Sequence, residues 1–162
     1  MAYFLGCDPG ARGAICILEP VAGIARFAPA PGGTKPPGVI FQALIADELQ
    51  YIHRAAIEDV HSLYGMSAKS NFSFGWNCGS AATLLECALL PYSIQLERIQ
   101  PKVWQKATGV TMRKTQNKDI KQVVAEIALE LYPKAKLHGP KGGLMDGRAD
   151  ALMLAHYLSL EE

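Results

Sequence analysis

Short apolar runs alternate along this chain with segments of helical spacing, and that alternation sets the first expectations. Tyr3 to Cys7 and Gly13 to Leu18 are apolar stretches of strand length, separated by Asp8-Pro9-Gly10-Ala11-Arg12. Proline and glycine together force a tight turn, so the two runs are predicted to pair as an antiparallel hairpin. Ile24 to Ala28 reads as a third strand, and the Pro- and Gly-rich stretch from Pro29 to Pro37 as a loop. Phe41, Leu44, Ile45, Glu48, Leu49 and Ile52 fall at helical intervals and predict a helix ending near His53. Ala55 to Val60 has strand length. The segment Ser62 to Gly75 is polar, glycine-bearing and aromatic, and predicts a mobile loop. A helix follows over Asn77 to Leu90, stopped by Pro91, and Ser93 to Ile99 alternates like a strand.

The second half continues the alternation. Pro101 to Ala107 predicts a short helix and Val110 to Asn117 a loop. From Asp119 to Tyr132 the apolar positions Ile120, Val123, Val124, Ile127, Ala128 and Leu131 mark an amphipathic helix, ended by Pro133. Lys134 to Gly143 reads as a flexible basic linker, and Asp146 to Leu160 as the closing helix. Three strands, then alternating helix and strand, give an α/β fold: a mixed five-stranded sheet, strands 1–3 antiparallel, with helices on both faces. At 162 residues the chain has room for one well-filled core, so residues 1–162 are read as a single domain.

Composition narrows the setting. There is no run of about 18 apolar residues, and no basic leader with a small-residue cleavage site precedes the first strand. A soluble, cytoplasmic protein with no membrane partner is expected. Cys7, Cys16, Cys78 and Cys87 show neither C-x-x-C spacing nor a histidine at zinc-finger distance. Buried reduced thiols are expected rather than a zinc site or disulfides.

The net charge of +1 conceals an asymmetry, for between Arg98 and Lys141 there are ten Lys or Arg against three acids. The remainder carries six bases and twelve acids. A basic stretch beside an acid-rich remainder fits a polyanion held by one surface while carboxylates act on it; a solvated helix face is the plainer explanation of the same run.

The acids carry the chemistry. Asp8 stands where the first apolar run ends, Glu58 where the fourth does, and Asp146 and Asp150 lie in the first turns of the closing helix. Carboxylates far apart in sequence but placed at such ends can converge into one cation site. Two unit charges about 4 Å apart interact by about 4 kcal/mol at an effective dielectric of 20, so such a cluster repels itself without counterions. Hard Mg2+ or Mn2+ suits an all-oxygen donor set. Two ions about 3.5 to 4 Å apart would activate a water and stabilise the leaving 3′ oxygen, so the expected products are 5′ phosphate and 3′ hydroxyl ends. Asp8 could instead cap its turn and Asp146 could be a helix N-cap. Glu58 and Asp150, charged residues among apolar neighbours, have no such structural explanation.

Five motifs in order resemble the RuvC family of Holliday junction resolvases, within the ribonuclease H-like superfamily. They are Asp8-Pro9-Gly10, Ile57-Glu58-Asp59-Val60, Phe74-Gly75 with Gly79, Gln100-Pro101-Lys102, and Asp146-Gly147-Arg148-Ala149-Asp150-Ala151-Leu152. The last looks especially like phage-encoded members. The resemblance implies a dimeric crossover junction endonuclease, using two Mg2+ or Mn2+ ions per active site, that nicks four-way DNA junctions symmetrically. It places the metal-binding acids at Asp8, Glu58 and Asp150. The fourth, Asp146, is four residues before Asp150, whereas cellular members usually carry theirs three before, where Gly147 stands here. Either spacing keeps both side chains on one helical face, and contact direct or through water remains open.

The resemblance also puts His61 at a position that packs against junction bases, with Tyr64, Phe72 or Phe74 as substitutes, and matches Lys118 to a lysine near the scissile phosphate. Lys102, Lys106, Arg113, Lys114, Lys118, Lys121 and Arg12 are the expected phosphate contacts. An apolar dimer interface is expected on the helix from Asn77 to Leu90, through Ala81, Ala82, Leu84 and Leu85, residues that core packing explains equally well. Competing readings are a related nuclease for flaps, hybrids or structured RNA, and a non-catalytic junction-binding module. An actin-like ATPase would need two such domains, so no nucleotide cofactor is expected. For a phage-encoded protein, the compartment would be the host cytoplasm.

Overall fold

The computed structural model describes residues 2–32, 48–61, 65–114 and 118–161. Five strands form one mixed sheet: β1 (Tyr3–Asp8), β2 (Ala14–Glu19), β3 (Ile24–Pro29), β4 (Ile52–Glu58) and β5 (Leu96–Ile99), in the order β3-β2-β1-β4-β5. β1, β2 and β3 pair antiparallel, while β4 and β5 run parallel to β1. Among the described residues the helices are α1 (Ala68–Leu89), α2 (Pro101–Ala107), α3 (Val110–Arg113), α4 (Ile120–Leu131) and α5 (Asp146–Leu160).

Strand residues alternate between two cores, as the two-residue period of a pleated strand requires. Phe4, Cys16, Leu18 and Ala56 point to one side, where α2, α3, α4 and α5 contribute Trp104, Val110, Val124 and Leu152. Leu5, Cys7, Ile15, Ile17 and Ile57 point to the other and meet Ala81, Ala82, Leu85 and Leu89 of α1. Both faces of the central strands are therefore dry. The sheet lies between helical layers, as the order of elements predicts.

Helix α5 packs most closely, lying across β1, β2 and β4. Gly6 allows this: a Cβ on it would run into the Ala151 carbonyl and the Ala155 amide of α5. With alanines on the helix and a glycine on the strand, the two backbones come nearly into contact.

Four local expectations are corrected. Ser62 to Gly75 is not a long loop; α1 starts at Ala68, where the Ser67 hydroxyl accepts from the Ser70 amide as an N-cap. The capping serine was present in the sequence but outweighed by the polar residues, the glycines and the aromatics of the segment. Val110–Arg113 forms one helical turn instead of loop. The stretch Lys134 to Gly143 is pinned: Leu137 is fully buried, its carbonyl accepts from the Met145 amide at 2.8 Å, and Gly139 donates to the Gly143 carbonyl at 2.8 Å. The expected helix from Phe41 lies largely outside the described residues; Leu49–Tyr51 is a short 3-10 turn and β4 already begins at Ile52, so helix does not reach His53. Among the described residues, no helix is long and apolar enough to cross a membrane.

Candidate active site

Parallel pairing brings the first two acids together. Cys7 of β1 lies opposite Ile57 of β4, so Asp8 and Glu58, the next residues of each strand, leave the sheet side by side at its carboxyl edge. That edge is where open α/β sheets build their sites. Helix α5 starts over the same edge. Asp146 is its first residue, after Met145 in the N-cap position, and Asp150 follows one turn later on the same face. Asp146 is therefore not the N-cap.

Gly147 is part of this joint. A Cβ there would stand 2.7 Å from the Arg12 carbonyl and 2.8 Å from Asp8 Oδ2. A side chain three residues before Asp150 would therefore press on the first turn and on Asp8.

The electrostatics show that the four acids share one environment. Asp8 is pushed up to about 8, by burial first and then by Asp150, Glu58 and Asp146. Asp150 rises to about 7, again by burial first, then by Glu58 and Asp146. Burial also raises Glu58, against which works a hydrogen bond from the Trp104 indole, Nε1 to Oε1 at 2.9 Å. Asp146 goes the other way. The Lys121 ammonium, donating to its Oδ2, holds it below the usual carboxylate range. As placed, no three His, Cys, Asp or Glu side chains among the described residues close on one point tightly enough to hold a metal ion. The donor set of the four acids, oxygen only and partly buried, is chemically that of a hard divalent cation.

The predicted basic residues divide into two groups. Lys121 stands at the acids, whereas Lys118 bonds Glu126 at 2.8 Å and Arg113 bonds Glu130 at 2.7 Å, both as half-exposed pairs between helical residues and the stretch before them. Such surface pairs are worth at most about 1 kcal/mol and yield readily to a phosphate. Arg12, Lys102, Lys106 and Lys114 are exposed. His61 is exposed too, 3.9 Å from Asp59, and it borders a cavity of about 460 Å³ with Val60, Phe74, Gln100, Pro101 and Lys102. Tyr64 lies outside the described residues.

Sequence reasoning missed two residues. Trp104 touches a predicted ligand, and a tryptophan in a short helix right after Gln100-Pro101-Lys102 was the available signal. Arg148, inside the acid motif, donates to the Lys136 carbonyl at 2.7 Å and lies over the Phe27 ring. With Arg12 it flanks a second cavity, of about 330 Å³, beside Asp146. All four cysteines are free; Cys7 and Cys16 are buried, Cys78 is partly buried and Cys87 is exposed, so the expectation of buried thiols holds for the first pair only.

No protein-family model matches the chain, and no curated protein sequence matches it significantly. Solved structures do. RuvC of T. thermophilus in complex with a Holliday junction substrate aligns with a TM-score of 0.51 at 13% identity, over 97% of this chain and 94% of that one. A further Thermus thermophilus RuvC structure gives 0.52 at 15% identity, over 97% and 95%. At such identity the shared property is the fold, and this chain has the ribonuclease H-like fold of RuvC.

Proposed function

We propose that this chain is a structure-selective endonuclease that binds four-way DNA junctions and nicks two strands symmetrically, leaving 5′ phosphate and 3′ hydroxyl ends. One observation carries the reading: Asp8, Glu58 and Asp150, from three separate elements, share one electrostatic environment at the carboxyl edge of β1 and β4. The fold is that of a RuvC solved on a Holliday junction, which supports branched DNA as the substrate.

Mg2+ or Mn2+, when bound, would supply the positive charge that activates water and stabilises the leaving oxygen. Asp8, Glu58 and Asp150 would hold the ions, with Asp146 at the margin. The protein's own part is positional. β1 and β4 set two carboxylates side by side, α5 brings the third over them, and Lys121 adds a cation that can face a phosphate. Arg12, Lys102, Lys106, Arg113, Lys114 and Lys118 extend the basic surface along the DNA backbone, and His61 with Phe74 borders a cavity of base-compatible chemistry.

A homodimer completes the proposal, since two strands are cut. The residues Ala81, Ala82 and Leu85 cannot form its interface, being buried in the core of their own chain. The outward stripe of α1 can: Phe72 and Trp76, 76% and 60% exposed, continue at helical spacing through Gly79 and Thr83. The protein would act as one domain in the cytoplasm, that of the host if phage-encoded.

The test is cleavage of synthetic four-way junction, flap and hybrid substrates in Mg2+ or Mn2+ by wild type, Glu58→Gln and Asp150→Asn. Wild type is expected to cut the junction, and both variants to bind without cutting. Preference for a flap or hybrid would transfer the activity to another substrate; junction binding without nicking by wild type would make the chain a binding module.

A further inference from the structure

We propose that Trp104 is a positioning residue for Glu58, its indole N–H taking up Oε1 and so fixing the orientation of a carboxylate that would help to hold a divalent cation. This rests on the metal-dependent reading above.

The geometry is specific. Trp104 is fully buried in the core beneath the sheet, alongside Phe4, Val110 and Val124. Its N–H can only donate, and buried indoles nearly always find an acceptor. Here the acceptor is Glu58 Oε1 at 2.9 Å, a long-range contact between α2 and the end of β4. Among the described residues, the Trp104 indole is the hydrogen-bond donor to the Glu58 carboxylate. The donor itself is held firmly. Pro101 starts α2 directly after Gln100, and the Thr108 hydroxyl and amide both donate to the Trp104 carbonyl, at 2.8 and 2.9 Å.

The recipient is held as well. The Asp59 amide donates to the Ile99 carbonyl at 2.8 Å, fixing the chain just after Glu58 on the neighbouring strand β5. A glutamate has three side-chain torsions, and an unrestrained one at a strand end would sample many carboxylate positions. A rigid donor on one oxygen selects among them. Hydrogen bonds to ionised acceptors are the stronger kind, and partners that orient metal ligands commonly change metal affinity or activity by about 10- to 100-fold when removed.

A tryptophan that merely fills the core would show the same burial, so the test separates shape from the N–H. In the full chain, Trp104 is exchanged for its benzothienyl isostere, which keeps the bicyclic shape and replaces N–H by sulfur; Trp104→Phe is the second variant. Mn2+ binding is read directly by electron paramagnetic resonance of the free ion, with junction binding in EDTA and thermal unfolding as controls. The isostere is expected to unfold and to bind junction like wild type while its Mn2+ affinity drops about 10-fold or more. Trp104→Phe should show the same loss in Mn2+ affinity. An isostere that binds Mn2+ as tightly as wild type overturns the positioning role and leaves the nuclease reading standing. A wild type that binds no Mn2+ overturns both.

Discussion

Lys121 of α4 donates directly to Asp146 at the start of α5, across the edge where Asp8, Glu58 and Asp150 gather. Of the two lysines flanking the start of α4, this one faces the acids, and Lys118 bonds Glu126 instead. Removing its ammonium by Lys121→Met leaves Asp146 unneutralised and takes one cation from the path of the DNA backbone. Junction cleavage is expected to fall about 10- to 100-fold. The salt dependence of junction binding should weaken by about one unit of slope if the same ammonium reaches a phosphate. Cleavage time courses and mobility shifts over a salt series measure both.

The raised acids make metal-free stability depend on pH. Asp8 and Asp150 titrate near 8 and 7 in the folded chain, far above the ordinary 3.8, so the folded state binds protons that the unfolded state has released. Stability should therefore decline as pH rises from about 4 to about 8. Unfolding in EDTA at pH 5 and pH 8 tests the sign, and added Mg2+ should restore most at pH 8. Asp150→Asn, which removes one of the mutually repelling charges, should raise the midpoint in EDTA at pH 8 by about 2 to 4 °C. A variant less stable than wild type under those conditions would mean that Asp150 is held by partners other than its fellow acids.

Gly147→Ala probes the joint between the first turn and α5. Its Cβ would press on Asp8 Oδ2 and the Arg12 carbonyl, an overpacking expected to cost about 1 to 3 kcal/mol and to move Asp8. Cleavage should drop sharply while binding in EDTA persists. Calorimetry gives the stability change and gel assays the rest.

Trp76→Glu tests the dimer. An exposed tryptophan one turn from an exposed phenylalanine is the residue type that dominates interfaces, where its loss costs about 2 kcal/mol or more. Sedimentation is expected to show self-association weakened about 30-fold or more, with paired nicking of a junction replaced by single nicks. An unchanged dimer would shift the interface away from α1.

Much of this was legible in the residues. Period and punctuation located the five described strands, and Asp146 to Leu160 matches α5 at both ends, although the buried apolar run ends at Leu158 and Leu160, expected in the core, is exposed. The start of α1 was not, because Phe72 and Trp76 stand exposed on a helix that carries little amphipathic pattern there. The site was legible as four acids, since parallel strands carry the residues at their carboxyl ends to a common edge. What held those acids was hidden. Lys121 is named by the sequence as a phosphate contact and Trp104 stands beside a motif, but both reach the acids through tertiary packing of α2 and α4, which sequence spacing does not assign to a particular carboxylate.

Gly6 has a consequence beyond close packing. With no side chain between β1 and α5, nothing compressible separates the strand that bears Asp8 from the helix that bears Asp150. Strand and helix meet there backbone against backbone, at the joint between the element that carries Asp8 and the one that carries Asp150. A methyl group added at Gly6 would lift the helix like a wedge under a hinge and change the spacing between Asp8 and Asp150.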